Sequence, residues 1–510
     1  MSRQLQILPR ITIELDGSAL SGVDISNIAE VRVQRSLSLP AVCEITFFSP
    51  AEAFGSSDSI MPGKSLRVAV GDDSESLFDG QVTAIQQIYG ADGARQIRVR
   101  GYDKLHILRK RQPVRALVQM TLSDLLDEVT GGLGVGVDLA AENSTLLPRI
   151  IQFEQTDFDL LSRYVQENGL YFTLHDGALR VFTLEGNGDE VELKLGANLF
   201  EARAEMNAEH SCSGVTATGW DATRAEPFSA AASAGRSGRS VSAAIDMGAF
   251  TEPLERFLVD RAVFDESQAQ AISQAELDWR AARDISLWGV AEGNAGLIPG
   301  APLKISGLTA SLSGSYILGS VTHTIDTSKG FISEISTLPP KPISHLHRSL
   351  ATLGIVTKVD DPDKFGRVCV KLSNYNDVET DWLQVLTAGA GIGKGLLAIP
   401  DVDDSVLVFF PNGELTQGIV LGGLFGAMQR EGFDWGVDDA RVKRFSLLTG
   451  GGQKMIFDDT NKKLRVENSD GSFIEMSPEK VRLHAQRDLE IEAPGKAITI
   501  RGNTIDFVQG

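Results

Sequence analysis

Cysteine is scarce in this sequence, and long apolar runs are absent. Cys43, Cys212 and Cys369 are the only cysteines among 510 residues. Their odd number and wide spacing fit neither a disulfide framework nor a metal cluster, so we expect three buried, small apolar side chains. No window reaches the about 18 uninterrupted apolar residues of a membrane-spanning helix, and the N-terminus lacks the apolar core of a secretory signal. We therefore expect a soluble protein made in the cytoplasm without a signal peptide.

Positive charge and aromatic side chains are also in short supply. The chain has 48 Lys and Arg against 68 Asp and Glu, for a net charge of -20. An acidic surface repels phosphate, so neither nucleic acid nor anionic lipid is an expected partner. Aromatic residues make up 7% of the chain. This argues against a receptor-binding adhesin, whose exposed loops are typically rich in aromatic side chains.

What the sequence does contain predicts a mainly β protein. The 51 Gly and 18 Pro mark many turns, and short runs of Val, Ile, Phe and Thr lie between them. At roughly 150 residues per domain the length predicts about three domains. Apolar residues alternate with polar ones from Ile11 onward, and this first β-rich unit is expected to run to about Tyr102.

Three helices are expected to interrupt the strands. Thr121 is the expected N-cap of the first, which ends at Gly131, and Thr156 is the expected N-cap of the second, which ends at Gly169. Asp176-Gly177, between two apolar runs, then predicts a hairpin with a type I′ turn.

The third helix is expected from Ser267 to about Arg283, with Ile272, Ala275 and Trp279 on one side. Before it, residues 229–242 are rich in Ala, Ser and Gly with scattered Arg. Because such a composition lacks apolar anchors, it predicts a mobile loop.

The second half of the chain divides at prolines. Residues 339–342, Pro-Pro-Lys-Pro, predict a stiff spacer at the clearest domain boundary. After it, about five alternating runs between Ala351 and Phe425 predict a small closed barrel.

The tail from Ser446 is punctuated by Gly and Asp, and its apolar residues alternate strictly. Short strands with one thin apolar edge cannot bury enough surface alone, and their open edges invite uncontrolled pairing. Both problems disappear if several copies wind together, so the tail predicts a homo-oligomer. The alternating apolar positions are Val481, Leu483 and Ala485, then Leu489, Ile491 and Ala493, then Ile498 and Ile500, then Ile505 and Phe507.

Several blocks of residues resemble the VgrG and phage-baseplate spike proteins. The segment from Gly354 to Gly426 is similar to the OB-fold core of that family in block order and spacing. Its matching blocks are Gly354-Ile355-Val356, Asp361-Pro362-Asp363, Gly366-Arg367-Val368, Asp381-Trp382-Leu383-Gln384-Val385, Ile399-Pro400, Val406-Leu407-Val408-Phe409-Phe410 and Val420-Leu421-Gly422-Gly423-Leu424. The helix at 158–163 with Glu167-Asn168-Gly169 resembles the family's hub helix, and 488–493 with 497–500 its β-helical needle. One departure is Asp403-Asp404-Ser405, where the family often has Gly-Asp-Glu.

The resemblance implies a homotrimeric central spike of a contractile injection machine. Its fold would be mainly β: β-barrel hub domains with a few helices in residues 1–340, a linker at 341–350, an OB-fold collar at 351–430, a linker at 431–445 and a trimeric β-helical needle at 446–510. Expected partners are further copies of itself, the inner tube protein, baseplate proteins and a PAAR-like tip protein.

The same resemblance assigns roles to apolar residues of the tail. We expect Val481, Leu483, Leu489 and Ile491 in the needle core. The candidate tip-protein contacts are Ile498, Ile500, Ile505 and Phe507.

Some family members carry an enzyme on the spike, and for this chain we expect none. Only about twenty residues separate Phe425 from Phe445, where a lysozyme domain would be inserted, and the chain stops at Gly510 after the last alternating strand. These features favour the spike of an extracellular, phage-tail-like particle, released outside the cell, or of a phage baseplate. The alternatives are a spike-borne peptidoglycan hydrolase of a contractile phage tail and a type VI secretion VgrG.

No catalytic, cofactor-binding or metal-binding residue is predicted. Residues 389–395 lack the spacing of a phosphate loop and are expected to be a flexible OB-fold loop, while Gly131–Gly136 follows a helix where a dinucleotide site needs a strand. His345 and His347 lack a third ligand nearby. In Asp360-Asp361-x-Asp363 the Gly and the distal Glu of a calcium loop are misplaced, so a turn is expected there.

Overall fold

The computed structural model describes residues 10–50, 54, 58–71, 75–91, 93–140, 146–147, 149–221, 226–250, 254–259, 263–343, 348–426 and 435–508. The chain divides into two compact units, Met1–Leu424 and Phe425–Gly510. Strands dominate both units, and the larger one contains half-barrel sheets. This confirms the predicted mainly β class.

The first hundred residues form antiparallel strands whose alternating side chains build one core. Val31, Val33, Ile45, Phe47 and Val99 are fully buried in it. This first run of strands ends at Tyr102, but Ile325 and Phe331 from much later in the chain belong to the same core. Its elements are β1 (Ile11–Leu15), β2 (Ser18–Ala19), α1 (Gly22–Ser26), β3 (Ile28–Ser36), β4 (Val42–Phe48), β5 (Ser65–Val70), β6 (Glu75–Tyr89) and β7 (Arg95–Tyr102).

A helical subdomain follows, and both predicted capped helices are confirmed in it. The Thr121 side chain accepts a hydrogen bond from the Asp124 amide, and the Asp124 carboxylate accepts one from the Thr121 amide. Positive φ at both Asp176 and Gly177 confirms the predicted turn. The elements are β8 (Arg115–Leu117), α2 (Leu122–Thr130), β9 (Gly136–Leu139), β10 (Ile150–Gln152), α3 (Asp157–Glu167), β11 (Tyr171–His175) and β12 (Ala178–Phe182).

The chain then returns to the first sheet and extends it to eleven strands, in the order β14-β18-β22-β21-β3-β4-β7-β6-β5-β1-β2. Since β21 pairs with β3, the contact joins residues almost 300 positions apart. The elements are β13 (Val191–Lys194), β14 (Leu199–Met206), β15 (Gly214–Asp221), β16 (Glu226–Ala232), β17 (Glu255–Leu258), α4 (Glu266–Arg283), β18 (Ile285–Glu292), β19 (Pro302–Ser306), β20 (Gly314–Ile317), β21 (Ser320–Asp326) and β22 (Gly330–Ser336). Short 3-10 helices lie at Asp58–Ile60, Lys104–Lys110, Met247–Ala249 and Ser373–Tyr375.

The prediction of a loop at residues 229–242 is wrong for residues 229–232. Strand β16 occupies residues up to Ala232, because the small side chains allow it to pack against α4. After the strand, Arg236 pairs with the buried Asp278 carboxylate at 3.0 Å, and Arg239 donates to the Ala281 carbonyl. Polar anchors on α4 replace the missing apolar ones.

Two smaller expectations also need correction. The third helix is present, but its buried face is Ala269, Ile272, Ser273 and Leu277, so Ala275 and Trp279 are only partly buried beside it. Trp279 instead donates from Nε1 to the Pro340 carbonyl at 2.8 Å and fastens the proline spacer to the hub. Cys212 is partly exposed, whereas Cys43 and Cys369 are buried as expected; all three are free thiols.

Residues 350–423 form a six-stranded sheet in the order β25-β24-β23-β27-β28-β26. Val368 and Leu383 exchange two backbone hydrogen bonds, which join the start of β24 to the segment before β26. In the turn before β27, Asp403 adopts φ +70°, a conformation suited to the glycine of the family pattern. The strands are β23 (Leu350–Lys358), β24 (Cys369–Leu372), β25 (Val378–Glu379), β26 (Gln384–Val385), β27 (Ser405–Phe410) and β28 (Ile419–Gly423).

The second unit is an antiparallel meander. Five consecutive strands pair in sequence order, β31-β32-β33-β34-β35, beside a small two-stranded hairpin. The strands are β29 (Val437–Asp438), β30 (Arg441–Val442), β31 (Arg444–Leu448), β32 (Lys454–Asp458), β33 (Lys463–Glu467), β34 (Phe473–Met476) and β35 (Val481–His484). Among the described helices of the whole chain, none is both long and apolar enough to cross a membrane.

Candidate assembly surface

One face of the five-stranded meander is apolar throughout. Residues directly opposite each other in an antiparallel pair share a face, so the register defines rows across the sheet. The first apolar row is Phe445, Phe457, Leu464, Met476 and Val481, and the second apolar row is Leu447, Met455, Val466, Ile474 and Leu483. Both rows lie on the same face because they are two residues apart on every strand. We call these ten side chains the apolar face.

The opposite face is charged and pairs its own charges. Arg465 at its centre lies 3.0 Å from Glu467 and 3.1 Å from Glu475. Its guanidinium also stacks 3.8 Å above the centre of the Phe473 ring. Hydrogen bonds from Arg465 hold the pKa of the Glu475 carboxyl below its usual range. The charges at the centre of this face are therefore paired within one chain and suited to water, although Leu448 and Ile456 also lie on it.

The apolar face, by contrast, is uncovered. Val481 is 72% exposed, Phe445 62% and Leu447 55%. Fully burying one such side chain contributes about 1.5–3 kcal/mol, so covering the ten would contribute on the order of 10 kcal/mol. Exposed apolar patches of this extent mark interaction surfaces. The apolar face is therefore a candidate interaction surface.

Apolar side chains continue beyond the sheet. Described residues 485–508 form no strand, so the strand pattern expected there is not met within one chain. Its printed backbone contacts are local or isolated: the Lys496 amide donates to the Ala493 carbonyl at 2.9 Å, and the Gln486 amide donates to the Ser472 hydroxyl at 3.0 Å. The expected needle-core residues Leu489 and Ile491 and the expected tip residues Ile498, Ile500, Ile505 and Phe507 all lie in this segment and are at least half exposed.

The structure separates the predicted tail residues into two groups. Val481 and Leu483 end the two apolar rows in β35, and the other six lie in the segment without strands. The meander itself also differs from the β-helical winding expected from residue 446 onward. Its neighbouring strands pair within one chain because short connections of four or five residues, such as the one at 459–462, join them.

Eight members of the apolar face were not among the predicted core residues. They are Phe445, Phe457, Leu464, Met476, Leu447, Met455, Val466 and Ile474. The period-two alternation was already visible at these positions in the sequence. What was missing was the register, since only aligned strands turn separate alternations into continuous rows.

An ion pair joins the OB fold to the hub within the larger unit. Arg163 on α3 lies 2.9 Å from Glu167 and 2.7 Å from Glu414 of the OB fold, and its side chain is only 10% exposed. Burial acts to lower the pKa of Arg163, but the two carboxylates outweigh it and the net pKa is raised. Arg149 adds a hydrogen bond to the Glu379 carbonyl. In addition, Ile151 of β10 and Ala116 of β8 pack with the apolar core of the OB fold.

The structure describes several of the segments that were discounted as sites from the sequence. Residues 389–395 form an exposed hairpin closed by Gly391 and Lys394, with no helix behind it. The Asp361 carboxylate accepts hydrogen bonds from the Arg367 side chain and from three backbone amides. Because these amides belong to the residues that follow Asp361, the turn expected there is confirmed. His345 and His347 lie outside the described residues. Within the described ranges, no three His, Cys, Asp or Glu side chains cluster as metal ligands.

Two family models match the chain. The model described as the Alg8 N-terminal domain matches residues 6–327. The model described as the type VI secretion system/phage-baseplate injector OB domain matches residues 352–425. Among curated proteins, the type VI secretion system spike protein VgrG4b of Pseudomonas aeruginosa PAO1 is 31% identical over 131 residues, 25% of this chain and 15% of that protein. The chain thus matches only a small part of this relative.

Solved structures of tail and spike proteins share the fold. The Francisella PdpA-VgrG complex superposes with a TM-score of 0.59 at 10% identity, covering 94% of this chain and 81% of that one. A type VI secretion system component of E. coli superposes with a TM-score of 0.51 at 13% sequence identity. This match covers 78% of this chain and 97% of that one. The 43 kDa tail protein of prophage MuSo2 from Shewanella oneidensis superposes with a TM-score of 0.50 at 18% sequence identity. This match covers 65% of this chain and 98% of that one.

Proposed function

The chain belongs to the family described as the Alg8 N-terminal domain and, with its injector OB domain, to the VgrG and phage-baseplate spike proteins, and on that premise we propose that it is the homotrimeric central spike of a contractile injection machine. In this role residues 1–340 adapt the hexameric tube to threefold symmetry, and residues 351–430 form the collar. Residues 446–510 form the needle that pierces the target envelope. The role is structural and needs stiffness, with no enzymatic step.

The apolar face supports this proposal most directly. Three meanders that turn their apolar faces toward one axis bury all three faces at once, while the charged faces stay in water. The same axis offers further contacts to residues 485–508, whose large apolar side chains are at least half exposed in one chain. A closed threefold arrangement also places the outer strands β31 and β35 beside neighbouring copies, so that these sheet edges do not invite aggregation.

Native mass measurement of the purified full chain tests the oligomeric state. We expect three times the chain mass at micromolar concentration, stable to dilution. A monomer at all concentrations would overturn the trimer.

The end of the tail is proposed to bind the tip protein. Phe507 is 93% exposed and Val508 87% exposed. These side chains would give a PAAR-like cap an apolar surface to bind. Deleting residues 498–510 should abolish capture of the tip protein by the spike and leave the trimer mass unchanged. Asp506→Asn, which alters a polar position in the same segment, is the control and should bind normally. Undiminished capture by the deletion variant would refute the assignment.

The kind of machine is a separate proposal. We propose an extracellular, phage-tail-like particle, and the match to VgrG4b favours a type VI secretion system as the second candidate. Sheath-containing particles pelleted from culture supernatant should contain this chain in the first case. If the chain stays in cells and leaves them only with a secreted tube protein, the second candidate is correct.

A further inference from the structure

A buried arginine interrupts the apolar face of β3. Along this strand the inward positions are Val31, Val33 and Arg35, followed by Leu37, and Arg35 is only 7% exposed. Its Nη2 donates to the carbonyl oxygens of Leu77 at 2.6 Å and Ser76 at 3.4 Å. Among the described residues, its Nε and Nη1 have no hydrogen-bond partner and it forms no ion pair. Burying a cation without hydrogen-bond partners costs free energy of folding. We therefore expect an acceptor to lie next to the Nε and Nη1 groups of Arg35.

Arg35 lines a cavity that is large enough to hold a small acceptor molecule. A cavity of about 350 Å³ lies between the eleven-stranded sheet and the turn of the β11–β12 hairpin. Arg67 and Lys104 join Arg35 in lining it, and Phe78 and Leu174 supply apolar walls. The space suits a ligand of a few heavy atoms with a charged end and a short apolar body.

Three carboxylates share the lining with these cations, and Asp103 and Asp176 attract the Arg35 guanidinium without a hydrogen bond to it. Asp103 accepts hydrogen bonds from the amides of Ala41 at 2.7 Å and Leu105 at 3.0 Å. Burial raises its pKa to about 7, although these two amides and the charges of Arg35 and Arg109 act in the opposite direction. Asp176 lies 3.0 Å from Nε2 of His175. Asp79 is exposed at the rim, where water screens it.

We propose that this cavity binds a small oxyanion, a carboxylate or a phosphate, with the Arg35 guanidinium as its central contact and Arg67 and Lys104 beside it. Arginine suits this task because its N–H groups are held in a fixed plane and stay charged when desolvated. The ligand would complete the polar contacts of Arg35 and tie the β11–β12 hairpin to the sheet.

Ligand-observed NMR on the full chain tests the site with two probes. Phosphate is followed by its phosphorus line width and succinate by saturation transfer, at equal ionic strength set with chloride. We expect at least one probe to bind at millimolar concentration or below, and the tighter probe identifies the source of the oxyanion. No binding of either probe beyond the chloride background would overturn the proposal.

Variants locate the binding. Arg35→Gln should weaken it by about tenfold or more, since a charge-assisted contact is lost. Arg67→Gln lies at the half-exposed rim, so it should fold even if Arg35→Gln does not, and it should weaken binding several-fold. Arg32→Gln, on the exposed face of the same strand, is the control and should bind as the unaltered chain does. Equal affinities of Arg67→Gln and Arg32→Gln would contradict the assignment.

Discussion

A chain carrying Leu447→Asp is expected to be a monomer under conditions in which the unaltered chain is a trimer. Leu447 begins the second apolar row and is 55% exposed in a single chain. Because it is exposed there, a carboxylate costs the isolated chain little. In the proposed trimer the same carboxylate would lie at the buried junction of three meanders.

The size of the effect follows from the threefold repetition. Each copy loses the burial of one leucine, about 2 kcal/mol, and must desolvate an unpaired carboxylate, which costs several kcal/mol more. Three copies together lose on the order of 10 kcal/mol or more. Since about 1.4 kcal/mol changes an equilibrium constant tenfold, association should be lost over any practical concentration range.

Ser446→Asp is the matched control, because Ser446 is the neighbouring residue and is also exposed, but lies on the charged face. It should remain a trimer by light scattering or native mass measurement. Val466→Asp, in the central strand, should behave as Leu447→Asp does. If both apolar-face variants remained trimeric, the apolar face would not be the interface.

The sequence was sufficient where local chemistry decides the structure. The capped helices at Thr121 and Thr156 and the turn at Asp176-Gly177 depend on side-chain to backbone contacts three residues apart or fewer, so their residue types are diagnostic. The OB domain was predictable from its ordered blocks, and the matching family model agrees.

Contacts between distant residues could not be predicted in the same way. The pairing of β21 with β3 depends on which of many similar alternating strands become neighbours, and alternation alone does not encode that choice. The polar anchors Arg236 and Arg239 were missed for the same reason, since their partners on α4 are some 40 residues away. In the tail, alternation predicted an oligomer, but the apolar face emerged only from the register of four strand pairs.

Asp361 should be the most sensitive polar residue of the OB fold. Its side chain is only 2% exposed and organises the loop between β23 and β24. It accepts hydrogen bonds from the amides of Asp363, Phe365 and Arg367 and from two nitrogens of the Arg367 side chain, at 2.6–3.3 Å. Asp361→Asn removes the charge and turns an NH₂ group toward donors. Breaking a buried pair in this way costs about 3 kcal/mol or more.

Hydrogen exchange of the full chain measures this loss locally. Amides of β23, β24 and β27 should exchange roughly a hundredfold faster in Asp361→Asn, because about 1.4 kcal/mol corresponds to a factor of ten. Asp363→Asn is the control: Asp363 contacts the same arginine at 2.6 Å, but its side chain is 61% exposed, so its pair contributes little. Equal exchange in the two variants would mean that Asp361 does not organise the loop.

The same carboxylate predicts a direction of pH dependence. The hydrogen bonds from Arg367 hold the pKa of Asp361 well below its ordinary value of 3.8. The folded state therefore binds its proton less readily than the unfolded state. The stabilisation from Asp361 is complete above pH 3.8 and is lost as the pH falls further toward the folded-state pKa.

The difference in OB-fold protection between the unaltered chain and Asp361→Asn should be constant from pH 5 to 7 and should narrow below pH 3.8. A difference that stays constant through that acid range would show that the charge of Asp361 is not what stabilises the loop.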